Sequence, residues 1–327
     1  MYSKDDMILW SMVSSMVINI GKIEVLAFSS NYLFKIFKKS SEMGINLFTS
    51  SYSEKIEIIN MLKDGSEKEK LKVFFGDFQM IRNLKLQLLE EKKIIEKKQI
   101  KISTYYCPDY PKKLREVKTP PYVLYYKGVL PKDKELKTAI SIVGTRYPED
   151  LSVVQFTEEI VEYLKKSVEY NVSGLAKGCD FIGHQITLKK GLKNIAVLGQ
   201  GLGGEVYPSE NKMLAEEIIE KKGAIISEIP PSLGVKGVYL LRRNRIQVYL
   251  AEEVFVLESG KKGGTITTIK NAFEEQKKVY IRNLKRNYSI FNLKNIKKVT
   301  FISNSSDMEY IKILTGKPHT LFTFEYS

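Results

Sequence analysis

Along the first hundred residues apolar positions recur at three- and four-residue steps. Trp10, Met12, Val13, Met16, Val17 and Ile20 form one such series, and Ile56, Ile58, Ile59 and Leu62 another. That period belongs to amphipathic helices. Glu90 to Lys101 (EEKKIIEKKQIK) reads as a charged helix end whose basic residues form a solvated face. The segment 105–130 carries four prolines and cannot be a long helix, although Val123 to Tyr126 suits a short strand. From Thr138 to Arg282 the rhythm changes. Short apolar runs end at Val143, Val172, Leu198, Ile226, Leu257 and Ile281. Helical patterns lie between them, such as Phe156, Ile160, Val161 and Leu164, then Met213, Leu214, Ile218 and Ile219. Strands alternating with helices predict a doubly wound α/β domain with a mainly parallel sheet, preceded by a helical N-terminal domain. The expected boundaries are 1–104 for the helical domain, 105–136 for a connector packed on the next domain, 137–282 for the α/β domain and 283–327 for a C-terminal extension of uncertain fold. That last segment is aromatic-rich (Tyr288, Phe291, Phe301, Tyr310, Phe322, Phe324, Tyr326).

Composition narrows the function classes. With 43% hydrophobic and 28% charged residues in 327, the chain has apolar surface enough to fold, which excludes global disorder. The apolar run Met7 to Ile20 is broken by Ser11, Ser14, Ser15 and Asn19, and is too short for a bilayer core of ~30 Å. Asp5 and Asp6 stand where a signal peptide carries positive charge. A soluble, cytoplasmic protein without membrane association is expected. Two cysteines (Cys107, Cys179) and two histidines (His184, His319) are too few for a disulfide framework and argue against a metal site, and no cofactor is expected. A net charge of +14 fits a polyanionic partner, or equally a lysine-rich surface with no such role.

The turns after the strands carry the candidate chemistry. Gly144-Thr145-Arg146 follows the first strand and Ser173-Gly174-Leu175-Ala176-Lys177-Gly178 the second. The third is followed by Gly199-Gln200-Gly201-Leu202-Gly203-Gly204, the fourth by Ser227-Glu228, and the fifth by a turn reaching Lys261, Lys262, Gly263, Gly264 and Thr265. In a parallel sheet all these turns share the carboxyl edge, where open α/β folds bind ligands. Glycine allows close backbone approach, and helix N-termini offer free N–H groups, so this rim suits phosphate. Arg146 is a candidate phosphate fork. Arg242, Arg243 and Arg245 in LLRRNRI belong to a helix starting near the same edge, where they either face a ligand or tie the helix to the sheet by ion pairs.

Gly199, Gly201 and Gly204 match the dinucleotide pattern G-x-G-x-x-G, with Glu228 after the next strand. They follow the third strand rather than the first and do not open a helix directly, so the dinucleotide reading is set aside. Asp180 and His184 are four apart on one helical face, either as an acid–base pair or as a helix cap and a packed histidine. No serine, histidine and acid set has triad spacing.

Seven pieces in order resemble the DNA-processing protein A family, also called Smf. They are YPKKLREVKTPPYVLYYKG (110–128), SIVGTR (141–146), SGLAKGCDFIGH (173–184), IAVLGQGLGGEVYPSENKML (195–214), AIISEIP (224–230), RRNRI (242–246) and GGTITTIKNAFEEQKKVY (263–280). The resemblance covers about residues 105–282. It implies a Rossmann-like domain at 137–282 that binds single-stranded DNA and helps load the RecA recombinase during natural transformation, without enzymatic activity, and acting as a homodimer. It also implies a positive pocket at the carboxyl rim containing Arg146 and Lys177, with Arg243 and Arg245 nearby. The expected phosphate contacts are Gly144, Thr145, Arg146, Ser173, Gly174, Lys177, Gly178, Gly199, Gly201, Arg242, Arg243, Arg245, Gly263, Gly264 and Thr265. Tyr147, Tyr207 or Tyr239 would stack on bases.

This chain departs from the family at Cys179, where isoleucine is usual, at Tyr239-Leu240, where Phe-Pro is usual, and in its lysine-bearing SGKKGGT turn. Two rival readings use the same rim. In a nucleoside-monophosphate phosphoribohydrolase, Gly263, Gly264 and Thr265 would hold the 5′-phosphate and Glu258 or Glu275 would stabilise cationic ribose. A nucleotide-sensing module would bind a small nucleotide there.

Overall fold

The computed structural model describes residues 2–20, 23–260, 262–287 and 299–307. Two compact units emerge. One comprises Met1–Tyr126, Gln200–Gly204 and Ser227–Tyr239, and the other Lys127–Gly199, Glu205–Ile226 and Leu240–Ser327. The segment 105–136, expected as a connector, contributes to both. The first unit also takes in two stretches from the α/β region, because Gly201 N–H donates to Leu233 O and the Ser232 hydroxyl and N–H donate to Glu91.

In the first unit helix α1 (Lys4–Ser14) opens on a capping box, with Ser3 accepting from Asp6 N–H while the Asp6 carboxylate accepts from Ser3 N–H. The helix stops at Ser14, earlier than the apolar series to Ile20 suggests. Val17 and Ile20 belong instead to a hairpin, β1 (Val17–Ile20) and β2 (Ile23–Leu26). Two consecutive serines disfavour continuing the helix, and the β-branched run after them prefers an extended backbone. Four helices follow: α2 (Ser30–Glu42), α3 (Tyr52–Asn60), α4 (Ser66–Gly76) and α5 (Phe78–Lys97). Helix α5 begins at Asp77, whose carboxylate accepts the N–H groups of Gln79 and Met80 at 2.8 and 3.0 Å. Its basic residues Lys92 and Lys93 are solvated, whereas Glu91 is buried. Strand β3 (Lys101–Thr104), the single-turn α6 (Lys112–Arg115) and β4 (Val123–Gly128) complete this part, β3 and β4 pairing antiparallel. The core is aromatic: Trp10 is fully buried, stacks on Tyr122 and meets Phe37 and Phe48 edge-on.

The second unit is the α/β layer. Its elements run α7 (Asp133–Leu136), β5 (Ile140–Val143), α8 (Val153–Leu164), β6 (Tyr170–Ser173), α9 (Cys179–Lys189), β7 (Lys193–Val197), α10 (Lys212–Glu220), β8 (Ala224–Ser227), α11 (Gly237–Leu250), β9 (Glu253–Val256), α12 (Gly264–Glu274), β10 (Lys278–Arg282) and β11 (Thr300–Ile302). The strands lie in the order β11-β10-β9-β5-β6-β7-β8, and every registered pair is parallel. This is the doubly wound, Rossmann-like sheet that the alternating pattern predicts. Alternate residues face opposite cores: Ile140, Ile142 and Phe255 join Phe156, Ile160 and Ile186 on one side, while Val143, Val254 and Val256 join Ile266, Ile269 and Val279 on the other. From β5 the chain winds outward through β8, then returns to place β9 on β5's other side. The order therefore reverses between β5 and β9, and the crevice at their carboxyl ends is where this topology accepts ligands.

Of the C-terminal extension, Thr300–Ile302 adds a parallel strand beside β10. Tyr288, Phe291, Tyr310, Phe322, Phe324 and Tyr326 lie outside the described residues. Among the described residues no helix is long and apolar enough to cross a membrane.

Candidate functional site

The reversal point is built from turns that interlock too tightly for side chains. After β5, Thr145 N–H donates to Glu258 O at 2.7 Å, and Thr145 O accepts from Cys179 N–H at 3.0 Å. A Cβ on Gly144 would lie 2.5 Å from Cys179 Sγ, and one on Gly178 would lie 2.5 Å from Thr145 O. Gly178 also has φ +71°, which favours glycine. These glycines lock the turns after β5, β6 and β9 together. Cys179 is fully buried in this contact, and burial pushes its thiol pKa up to about 12. Arg146 emerges from the locked turn and is exposed.

The turn after β6 supplies the second wall. The Ser173 hydroxyl donates to Ile142 O at 2.7 Å, so it serves the sheet rather than a ligand. Gly174 is vacant for a different reason: a Cβ there would sit 1.5 Å from Arg243 Nη1. The guanidinium occupies the space a side chain would fill. Arg243 is buried, donates through Nη1 to Val197 O at 2.7 Å and lies 3.8 Å from Asp180 Oδ2. With its amide oxygen turned toward the guanidinium, Gln247 accepts from Nη1 at 2.5 Å and Nε at 3.2 Å. Burial pushes the Arg243 pKa down to about 10, opposed by Asp180 and assisted by Arg146, so the group remains charged at neutral pH. Asp180 in turn accepts from Ala176 N–H at 3.3 Å.

Arg146, Gly174, Lys177 and Arg243 converge on one cavity of about 100 Å³, walled also by Tyr147, Ala176, Tyr207, Pro208 and Leu240. Tyr147 is 74% and Tyr207 43% exposed. Lys177 pairs with Glu210. That contact holds the lysine pKa above its ordinary value and the carboxyl pKa below its own. The site thus combines a buried fixed cation, an exposed arginine, a lysine in an ion pair and two aromatic faces.

Other sequence candidates lie elsewhere. Gly199 packs on Leu240, with a would-be Cβ 2.8 Å from Leu240 Cα. Gly201 belongs to the first unit, where its Cβ would meet Pro230 O at 2.1 Å. Both glycines answer packing. Arg245 Nη1 donates to Arg242 O at 3.0 Å, and neither arginine lines the cavity. Gly263, at φ +122°, caps α12, which then begins with Gly264 and Thr265, and Asn244 Nδ2 donates to Gly264 O at 3.2 Å. These three also stand apart from the cavity. Lys261 is outside the described residues. Tyr239 is buried and its hydroxyl donates to Ser15 O, so it presents no face to a base.

The acid–base candidates are occupied structurally. Glu258 is 1% exposed and accepts from Glu149 N–H at 3.0 Å, Asp150 N–H at 3.3 Å and Arg286 Nη1 at 2.6 Å. Glu275 sits at the C-terminal end of α12, the opposite end from Gly263. His184 is fully buried with Nδ1 2.7 Å from Asn194 Oδ1, and burial lowers its pKa. Among the described residues no three His, Cys, Asp or Glu side chains gather as a metal site. Sequence reasoning missed Ala176, Pro208, Leu240 and Glu210. Glu210 is one acid among many in the chain, with no spacing to mark it.

A family model described as DNA recombination-mediator protein A matches residues 101–300. Protein Smf of Synechocystis sp. is 39% identical over 175 residues, which are 53% of this chain and 43% of that protein. The chain thus spans under half the length of that curated relative. The crystal structure of DNA processing protein A from Streptococcus pneumoniae superimposes with a TM-score of 0.71 at 20% identity, covering 95% of this chain and 98% of that one. DNA processing protein A from Helicobacter pylori, described for its unique single-stranded DNA binding mode, gives a TM-score of 0.56 at 26% identity over 68% and 99%.

Proposed function

The chain belongs to the DNA recombination-mediator protein A family, and from that premise we propose that it binds single-stranded DNA at the Arg146–Lys177–Arg243 cavity and helps load RecA onto it. The carrying observation is the seat of Arg243, whose buried charge stands in the space beside Gly174 and faces a cavity shared with exposed Arg146. A buried cation is costly unless its donors are matched, and Val197 O, Asp180 and Gln247 match this one without neutralising the mouth. Phosphate supplies the missing negative charge, with Arg146 as a fork. Tyr147 and Tyr207 offer faces on which unpaired bases stack, at ~1–3 kcal/mol per base and without sequence preference.

The volume favours a polymer's phosphate over a free nucleotide. Pockets for whole small ligands measure ~300–1,000 Å³, whereas this one is about 100 Å³. The engagement of Glu258 in the fold weighs in the same direction against the phosphoribohydrolase reading. We therefore read the chain as a non-enzymatic, cytoplasmic DNA-binding protein that acts in natural transformation and works as a homodimer. The likeness to the Helicobacter pylori protein, named for binding single-stranded DNA, supports the choice of ligand.

Arg146→Ala, titrated with a labelled oligonucleotide at several salt concentrations, should weaken binding about tenfold and make the log–log salt slope shallower by ~0.7. Unchanged affinity and slope would remove Arg146 from the site. A gel shift with single- and double-stranded DNA, repeated with RecA, tests the loading role. A faster appearance of RecA complexes on single strands is expected.

A further inference from the structure

We infer that Glu210 is a built-in rival of the phosphate group at Lys177, and that its displacement sets how tightly the cavity holds a phosphate chain. The inference rests on the reading of the cavity as a phosphate site. Glu210 lies in a short 3-10 turn, Ser209–Asn211, directly after the cavity-lining Pro208. That turn is pinned: Asn211 is buried, its N–H donates to Pro208 O at 3.0 Å and its Nδ2 to Leu175 O at 2.9 Å. Leu175 belongs to the same loop as Lys177. The carboxylate is thus delivered by a fixed backbone to the one lysine of the cavity, and Lys177 Nζ pairs with Glu210 Oε1.

The two arginines are held differently. Arg243 is buried and anchored by Val197 O, whereas Arg146 has no carboxylate partner among the described residues. Of the three cations, Arg243 has the buried Asp180 beside it, and among the described residues Lys177 is the one whose counter-charge lies exposed, where a ligand must displace it. The pair is open to water, with 45% of the lysine and 59% of the glutamate side chain exposed. Exposed pairs are weak, so an arriving phosphate can exchange for the carboxylate. The cost falls on affinity and on salt response. A lysine whose charge is already balanced by Glu210 neutralises no phosphate and so displaces no cation condensed on the DNA, and only a freed Lys177 adds to the slope.

Glu210→Gln should therefore tighten oligothymidylate binding about two- to fivefold at low salt, the range of an exposed ion pair. It should also steepen the salt slope by ~0.7. In a Lys177→Ala background the same change should alter neither quantity, which separates local rivalry from a general loss of negative charge. A Glu210→Gln protein with unaltered or weaker binding, or a gain that persists without Lys177, would overturn the inference. Tripolyphosphate, titrated into the same four proteins by calorimetry, separates this inference from the functional reading. If the wild-type protein binds tripolyphosphate but no oligonucleotide, and Glu210→Gln tightens it only when Lys177 is present, the rivalry stands and the single-stranded DNA reading falls.

Discussion

A single missing side chain positions the fixed charge of the site. Gly174 leaves the volume in which the Arg243 guanidinium rests, with a would-be Cβ 1.5 Å from Nη1. Gly174→Ala must push the guanidinium away from Val197 O and Asp180. Losing charge-assisted bonds in a buried setting costs about 2 kcal/mol or more, so the variant should show a clear fall in urea midpoint. Oligonucleotide affinity should fall in parallel, about tenfold. A variant with wild-type stability and binding would show that Arg243 is not seated against residue 174. The sequence points to glycine in this turn because a rim that approaches ligands wants glycine, yet the observed reason is an arginine arriving from α11. That partnership joins positions far apart in the chain, and no local pattern encodes it.

At the scale of elements the strands were legible. The apolar runs ending at Val143, Val172, Leu198, Ile226, Leu257 and Ile281 correspond to β5 to β10, with ends that agree to within a residue. Strands buried on both faces leave an unbroken apolar signature. The α1 series was less legible, since the valines and isoleucines of the hairpin continue the apolar series of the helix before it. Hidden too was a titrating group at the start of β9. Glu253 pairs in register with Lys278 of β10, approaches Tyr280 Oη at 3.5 Å and has Lys278 Nζ at 3.6 Å. Burial raises its carboxyl pKa to about 7 against the attraction of Lys278, while Glu252 adds to the rise. A pKa raised on folding favours the native state below the unfolded value near 4.5 and loses that contribution as pH climbs through 7. Stability from this group should thus decline between about pH 4.5 and 7, by up to roughly 3 kcal/mol at 1.36 kcal/mol per pKa unit. Glu253→Gln should flatten the decline and exceed the wild type in urea midpoint at pH 8. Parallel curves for the two proteins from pH 5 to 8 would disprove the assignment.

Over the whole molecule 52 basic residues stand against 38 acidic ones, and three of the cations line the cavity. The remaining surplus predicts a second, weaker mode of binding. A protein carrying both Arg146→Ala and Lys177→Ala should still shift double-stranded DNA at 50 mM salt and release it by about 200 mM, as counterion-driven contacts do. Retention of tight binding at 200 mM would place the main DNA surface away from the cavity. The apolar periodicity by itself determined the α/β class, the order of strands and helices, and the side of the sheet to which the glycine turns belong. These are properties of runs of neighbouring residues and of the handedness of parallel crossovers. Tertiary structure alone decided which turns meet: Arg146, Gly174, Lys177 and Arg243 converge where the turns after β5 and β6 face α11, while Gly201 and Tyr239 serve packing and Gly263–Thr265 do not line the cavity. The reason is that a strand's neighbours are set by where the chain crosses back over the sheet, and that choice is made by packing across the whole layer.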